Sequence, residues 1–156
     1  MTYVVDTSSF RVLGHYFPDR FPSFWARFNE AVASSRIYSV REVYKELERQ
    51  VTRQHLLDWA KSNRAIFCAP TAEETHFIAQ IFAVLHFRYL ISQKQVLTGG
   101  PAADPFVIAA ANARGACVVT EEARKENAAR IPNVCDHFGI RCCSLESLME
   151  QEGWSF

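Results

Sequence analysis

Apolar positions change their period several times along this chain, and each change marks an element. Tyr3-Val4-Val5 is a short unbroken apolar run, the pattern of a strand covered on both faces. A polar, aromatic-rich stretch broken by Pro18 and Pro22 follows. A helix is predicted over about 22–34, where Phe24, Trp25, Phe28, Ala31 and Val32 recur at helical spacing. Ile37-Tyr38-Ser39 reads as a second strand. Ser39 is placed to cap the next helix, to about Gln50, with Glu42 as its capping-box partner and Val40, Val43, Tyr44 and Leu47 on the apolar face. A helix over about 53–63 presents Leu56, Leu57, Trp59 and Ala60.

Ile66–Pro70 fits either a strand or an extended crossover. Thr71 opens a long helix with Glu73 and Glu74 in its first turn, where the macrodipole favours acids, and Gly99-Gly100-Pro101 stops that region. Asp104-Pro105 starts a helix running to Gly115, with Asp104 as its cap and proline at the first helical position. Ala116–Thr120 is the clearest internal strand. Ile131-Pro132 enters a short helix, Ile140–Cys143 forms the last strand, and Ser144 caps the final helix. Strands alternating with helices predict an α/β fold with a parallel sheet covered on both faces.

Size and charge narrow the class. The 156 residues fit one domain, 1–156. Lys+Arg and Asp+Glu each total 17, so no global field steers a polyanion, and a nucleic acid must be met by a local patch or a bound cation. The longest apolar region, near Phe77–Ile91, is interrupted by Gln80, His86 and Arg88, which excludes a membrane span. A basic stretch leading into an apolar one is missing from the N-terminus, which predicts a cytoplasmic protein with its five cysteines reduced. Cys135-Asp136-His137 with Cys142-Cys143 lacks paired C-x-x-C arms, so core thiols are a better reading than zinc.

The acids carry the chemistry. Asp6 closes the first strand, and ionised carboxylates are rarely buried unless paired or bound to a metal. Ligands of open α/β sheets sit beyond the carboxyl ends of the strands. Glu122 follows another strand end, Asp104 starts a helix, and Glu46 or Glu42 sits on the helix after the second strand. Each has a plain reading when taken alone. Asp6 and Asp104 suit helix caps, Glu121 and Glu122 suit a solvated first turn, and Glu42 and Glu46 suit surface pairs with Arg49 or Arg53. A phosphoacceptor receiver domain fits less well, since it wants a second acid after strand one and a lysine near the last strand.

Their order in the chain resembles a known family. Val4-Val5-Asp6-Thr7-Ser8 resembles the opening of PIN domains, Glu46-Leu47 their second acid, Ala103-Asp104-Pro105 before an Ala-rich helix their third motif, and Val118-Val119-Thr120-Glu121-Glu122 their fourth. The match runs from residue 3 to about 145. Ile131–Cys135 and Gly139–Cys143 are also similar to a PIN-like group described only as a domain of unknown function. Two features depart from the pattern: the fourth acid is Glu122 rather than aspartate, and Glu42 competes with Glu46.

The resemblance implies a three-layer α/β/α fold around a central, mainly parallel sheet of four to five strands. It further implies a ribonuclease that uses Mg²⁺ or Mn²⁺ to hydrolyse RNA, as the toxin of a toxin–antitoxin pair, with an antitoxin protein as partner and a tendency to dimerise. Asp6, Glu46 and Asp104 then hold the metal and Glu122 supports it or a second ion, with Glu42 as the alternative helical acid. Oxygen-only ligation selects those ions over zinc. Ser8, or else Thr7, orients a water or Asp6, and Thr120 holds a phosphate or a carboxylate. Arg49, Arg53, Arg124 and Lys125, with Arg41 and Arg130, are candidates for the RNA backbone, and Tyr16, Phe17 and Phe21 for base stacking or a partner interface. The competing expectation is a PIN-like interaction module with weak or no catalysis.

Overall fold

Three consecutive β-favouring residues, Tyr3–Val5, form strand β1, and their burial on both faces puts them at the centre of the sheet. A computed structural model describes residues 1–91, 100 and 102–156. Around β1 lie β2 (Ile37–Val40), β3 (Phe67–Cys68), β4 (Cys117–Val119) and β5 (Cys142–Cys143), in the order β3-β2-β1-β4-β5 with every pairing parallel. The expected α/β class therefore holds, with five strands.

Eight α-helices are described: α1 (Thr7–Leu13), α2 (Pro22–Ala33), α3 (Arg41–Gln50), α4 (Gln54–Ser62), α5 (Ala72–Ala83), α6 (Asp104–Arg114), α7 (Ile131–Phe138) and α8 (Leu145–Gln151). From β1 the chain steps outward to β3, then crosses back to β4 on the other side. Parallel crossovers are right-handed, so this reversal assigns α1–α4 to one face of the sheet and α5–α7 to the other. The packing of α3 on α1 and α4, and of α6 on α5 and α7, agrees. Strand order reverses between β1 and β4, and in such sheets the crevice beyond that pair of strand ends is where ligands bind.

Several expected boundaries are corrected. The polar stretch after β1 contains α1. Thr7, Ser8 and Ser9 are poor helix formers, but Phe10 and Leu13 bury fully one turn apart and hold the helix on the sheet. Ser39 is no cap. It lies inside β2, and its hydroxyl donates to the Val5 carbonyl at 2.6 Å, while Val40 takes the cap position and Glu42 forms no capping box. A capping box occurs instead at α5, where the Glu74 amide donates to Thr71 Oγ1 and the Thr71 amide to Glu74 Oε2, each at 3.1 Å. That helix ends at Ala83, before a 3-10 turn at Leu85–Leu90.

Gly99 and Pro101 of the expected stop lie outside the described residues. Asp104 is the first residue of α6 rather than its cap, a place taken by Ala103, so Pro105 is second. The ambiguous 66–70 segment supplies β3, a two-residue edge strand. Ser144 caps α8 as expected, accepting from the Ser147 amide at 3.1 Å. Gly115 and Gly139 end α6 and α7 at φ 63° and 69°, a left-handed turn that suits glycine. Among the described residues no helix is long and apolar enough to cross a membrane.

Candidate acidic site

Asp6 sits where β1 gives way to α1, and only 3% of it is exposed. It occupies the cap position of α1 without making a side-chain cap bond. Its Oδ2 instead accepts from Ser8 Oγ at 2.8 Å and Thr120 Oγ1 at 3.0 Å, while Oδ1 is buried with no hydrogen-bond partner. A buried polar atom left unpaired is costly and rare in native structures. Burial pushes the Asp6 carboxyl above the usual aspartate range, and the two hydroxyls with the first amides of α1 only partly offset it.

Glu46 reaches the same place from α3. Thr7 Oγ1 donates to its Oε2 at 2.6 Å and the Ala103 amide to its Oε1 at 3.1 Å. This carboxylate therefore ties the starts of α1 and α6 to α3 and sets Asp104, the next residue, beside Asp6. Burial raises its affinity for a proton, and the charge of Asp6 adds to this.

Asp104 is pushed up to about 8, first by burial and then by the charges of Asp6, Glu122 and Glu46. Glu122 is raised as well, again by burial first, with Asp6 contributing and the Ile131 amide and Arg130 opposing. One oxygen of Glu122 is committed: its Oε2 accepts from the Ile131 amide at 3.0 Å, at the start of α7.

The four acids of the sequence pattern thus lie near enough at the β1–β4 reversal for Asp104 to feel the charges of the other three. Glu42 does not join them. It lies one turn before Glu46 on α3 and is committed to ion pairs with Arg41 at 3.0 Å and Lys45 at 3.3 Å. Ser8 Oγ lies 3.1 Å from Thr120 Oγ1, its fellow donor to Asp6, and accepts from the Glu121 amide at 3.0 Å, so this hydroxyl fixes the β4 loop to α1. Thr120 serves a carboxylate, and Thr7 serves Glu46 rather than Asp6. Glu121 is no free surface charge: its Oε1 accepts from Ser9 Oγ and the Leu145 amide, linking α1 to the start of α8.

The basic candidates are more dispersed. Arg49 lines a separate cleft beside Glu42, Arg53 stacks over Phe17 at 5.5 Å, and Arg124 pairs with exposed Asp136 at 3.5 Å. The Lys125 backbone is held by Asn133 at 2.7 Å, which steadies the loop after β4. Phe17 and Phe21 are exposed, and Phe21 stacks on Tyr16 at 5.2 Å. Sequence reasoning missed Arg11. It lies one turn beyond Thr7 on α1, is exposed, and its charge favours ionised Glu46. The signal was present as the i, i+4 spacing from Thr7, but it is visible only once α1 is known to be a helix.

All five cysteines are free thiols, with Cys117 and Cys135 buried, as expected of core sulfur. Among the described residues no group of three or more acids, thiols or imidazoles is placed so that it could hold a metal ion. Yet the donor set at the reversal is all oxygen, and it includes the unpartnered Asp6 Oδ1. An all-oxygen set is the donor chemistry that hard divalent ions select, and Asp6, Glu46 and Asp104 would be the residues to hold one.

The curated proteins include none that matches this chain. Among solved structures it is similar to PAE2754 from Pyrobaculum aerophilum, at 14% identity and a TM-score of 0.40, over 89% of this chain and 97% of that one. The family model described as Domain of unknown function (DUF4411) matches residues 3–156, and the chain belongs to that family.

Proposed function

We propose that this protein is a divalent-metal-dependent endoribonuclease that hydrolyses RNA phosphodiester bonds, in line with its resemblance to PIN domains. One observation carries the reading: a buried Asp6 oxygen without a partner, in a neighbourhood where the charges of Asp6, Glu122 and Glu46 add to burial in raising the proton affinity of Asp104. Like charges at about 4 Å repel by about 4 kcal/mol at an effective dielectric of 20, and a divalent cation relieves that conflict.

When bound, Mg²⁺ or Mn²⁺ supplies positive charge to the phosphodiester oxygens and lowers the pKa of a water so that it attacks phosphorus. The chain's own groups prepare the place. Ser8 and Thr120 hold Asp6 Oδ2 and leave Oδ1 free. Glu46, steadied by Thr7 and the Ala103 amide, positions Asp104. Glu122 has one oxygen left after bonding Ile131 and takes a supporting part. Arg11 meets the RNA backbone on the Glu46 side. The reading extends to a cytoplasmic toxin silenced by an antitoxin protein and able to form a homodimer, with exposed Phe17 and Phe21 available for a protein contact.

The test is Mn²⁺-dependent cleavage of single-stranded RNA. Asp6→Asn and Asp104→Asn are expected to lose roughly a hundredfold or more, as when several kcal/mol of charge stabilisation is removed. Glu46→Gln is expected to impair cleavage and Glu42→Gln to leave it near wild type. Equal cleavage by wild type and both asparagine variants sinks the proposal. The commitment of Glu122 to the α7 amide favours a second reading, a PIN-like interaction module. Folded wild-type protein that neither cuts RNA nor responds to Mn²⁺ selects it.

A further inference from the structure

Past Glu122 the molecule opens into a cleft of about 500 Å³ over the carboxyl ends of β4 and β5. Thr120 and Glu122 form the wall that it shares with the acid cluster. Two further clefts among the described residues, beside Lys45 and beside Tyr3, share no residue with that cluster. Its volume lies within the range of small-ligand sites, about 300–1,000 Å³. Pro132, Ile140 and Cys142 give it apolar surface, and Arg124 stands at its edge. Among the described residues Arg124 is held by Asp136 alone, at 3.5 Å with both side chains well exposed, and such a pair is worth little in water. The guanidinium is therefore cheaply released to another anion.

We propose that this cleft binds the nucleoside adjoining the scissile phosphate of single-stranded RNA, with Arg124 on the neighbouring phosphate. Three features point the same way. The cleft starts at Thr120, whose hydroxyl donates to Asp6 Oδ2 at 3.0 Å. A base entering it must be unpaired, which excludes duplex. In a chain with 17 basic and 17 acidic residues, phosphate attraction has to be local; Glu121, Glu122 and Asp136 also line this cleft, so a phosphate is drawn to the Arg124 side of it and turned away from the rest. The chemical class of the ligand rests on the nuclease reading, whereas its place rests on the cleft.

The experiment follows backbone amide resonances of wild-type protein, without divalent metal, as adenosine 5′-monophosphate is added. Shifts at Thr120, Cys142, Cys143 and Ser144 are expected. Ala123→Trp adds bulk at an exposed wall position, and it is expected to weaken binding about tenfold and to raise the KM for an oligoribonucleotide about as much with kcat retained, the mark of lost uniform binding. Arg124→Ala is expected to act in the same direction. Normal cleavage with unmoved cleft resonances and an unchanged KM in both variants overturns the cleft and leaves the nuclease standing. Nucleotide binding in the cleft without any RNA cleavage upholds the cleft and sinks the nuclease. Shifts reproduced by inorganic phosphate alone overturn the nucleoside assignment.

Discussion

Asp104 shows how a single carboxyl couples stability to chemistry. Its pKa moves from the ordinary 3.8 to about 8, because burial and three neighbouring acids penalise its charge. The folded state then keeps a proton that the unfolded chain has already released, so stability falls as pH rises. The cost begins near the unfolded pKa and is complete above about 8. Asp6, Glu46 and Glu122 are raised too and steepen the fall. In chelator, wild-type protein is expected to lose on the order of 2 kcal/mol between pH 5 and pH 8 in urea unfolding. Asp104→Asn is expected to flatten that slope and to exceed wild type at pH 8. A wild-type stability that climbs over this window refutes the electrostatic account of the site. Asp6 was legible in the sequence because an acid after three strand residues has few innocent explanations. Arg11 was not, because a lone charge in a segment without helical pattern carries no direction. Arg11→Ala is expected to raise the KM for RNA a few-fold with kcat retained, less so at high salt, where phosphate contacts weaken.

Helix beginnings decide the geometry here, and they were the hardest part to read in advance. Asp6 and Asp104 both stand at such beginnings, yet neither side chain is spent on a cap bond there. Asp104 is held in place by the residue before it, whose amide is bound by Glu46 from another helix. That link spans 57 positions and leaves no local trace. Ser39 makes the same point. Beside Glu42 it looks like half of a capping box, but pairing of β2 with β1 draws it into the sheet, where its hydroxyl meets the Val5 carbonyl. Ser39→Ala is therefore expected to cost about 1–3 kcal/mol, because a buried acceptor loses its donor. Glu42→Ala, which breaks only partly exposed ion pairs, should cost under about 1 kcal/mol. Chemical denaturation of the two variants checks this, and equal losses would restore the capping box. At α5 the local signal was sufficient: Thr71 and Glu74 are both close enough in sequence to cap without outside help.

Alternation of apolar runs with helical periods was enough to imply a parallel sheet, and the order of acids along the chain was enough to suggest a common pocket. The strand order β3-β2-β1-β4-β5 was not legible, since it depends on which side of β1 the chain returns to after β3. That return brings Thr120 onto Asp6 and Glu122 within electrostatic reach of Asp104. Four segments of one chain therefore bring acids within electrostatic reach of Asp104, and an ion that bound there would stabilise the whole fold rather than one loop. An ion that binds only the native state at a hundred times its dissociation constant contributes about 2.7 kcal/mol. At roughly 2–4 °C per kcal/mol for a chain of this size, Mn²⁺ is expected to raise the Tm by about 5–10 °C. Asp6→Asn should abolish that rise and Glu42→Gln should keep it, and potassium chloride at matched ionic strength should not reproduce it. A rise that survives in Asp6→Asn places the ion elsewhere. No rise in any variant leaves the four acids as a costly arrangement with no cation to justify them, and the hydrolytic reading falls with it.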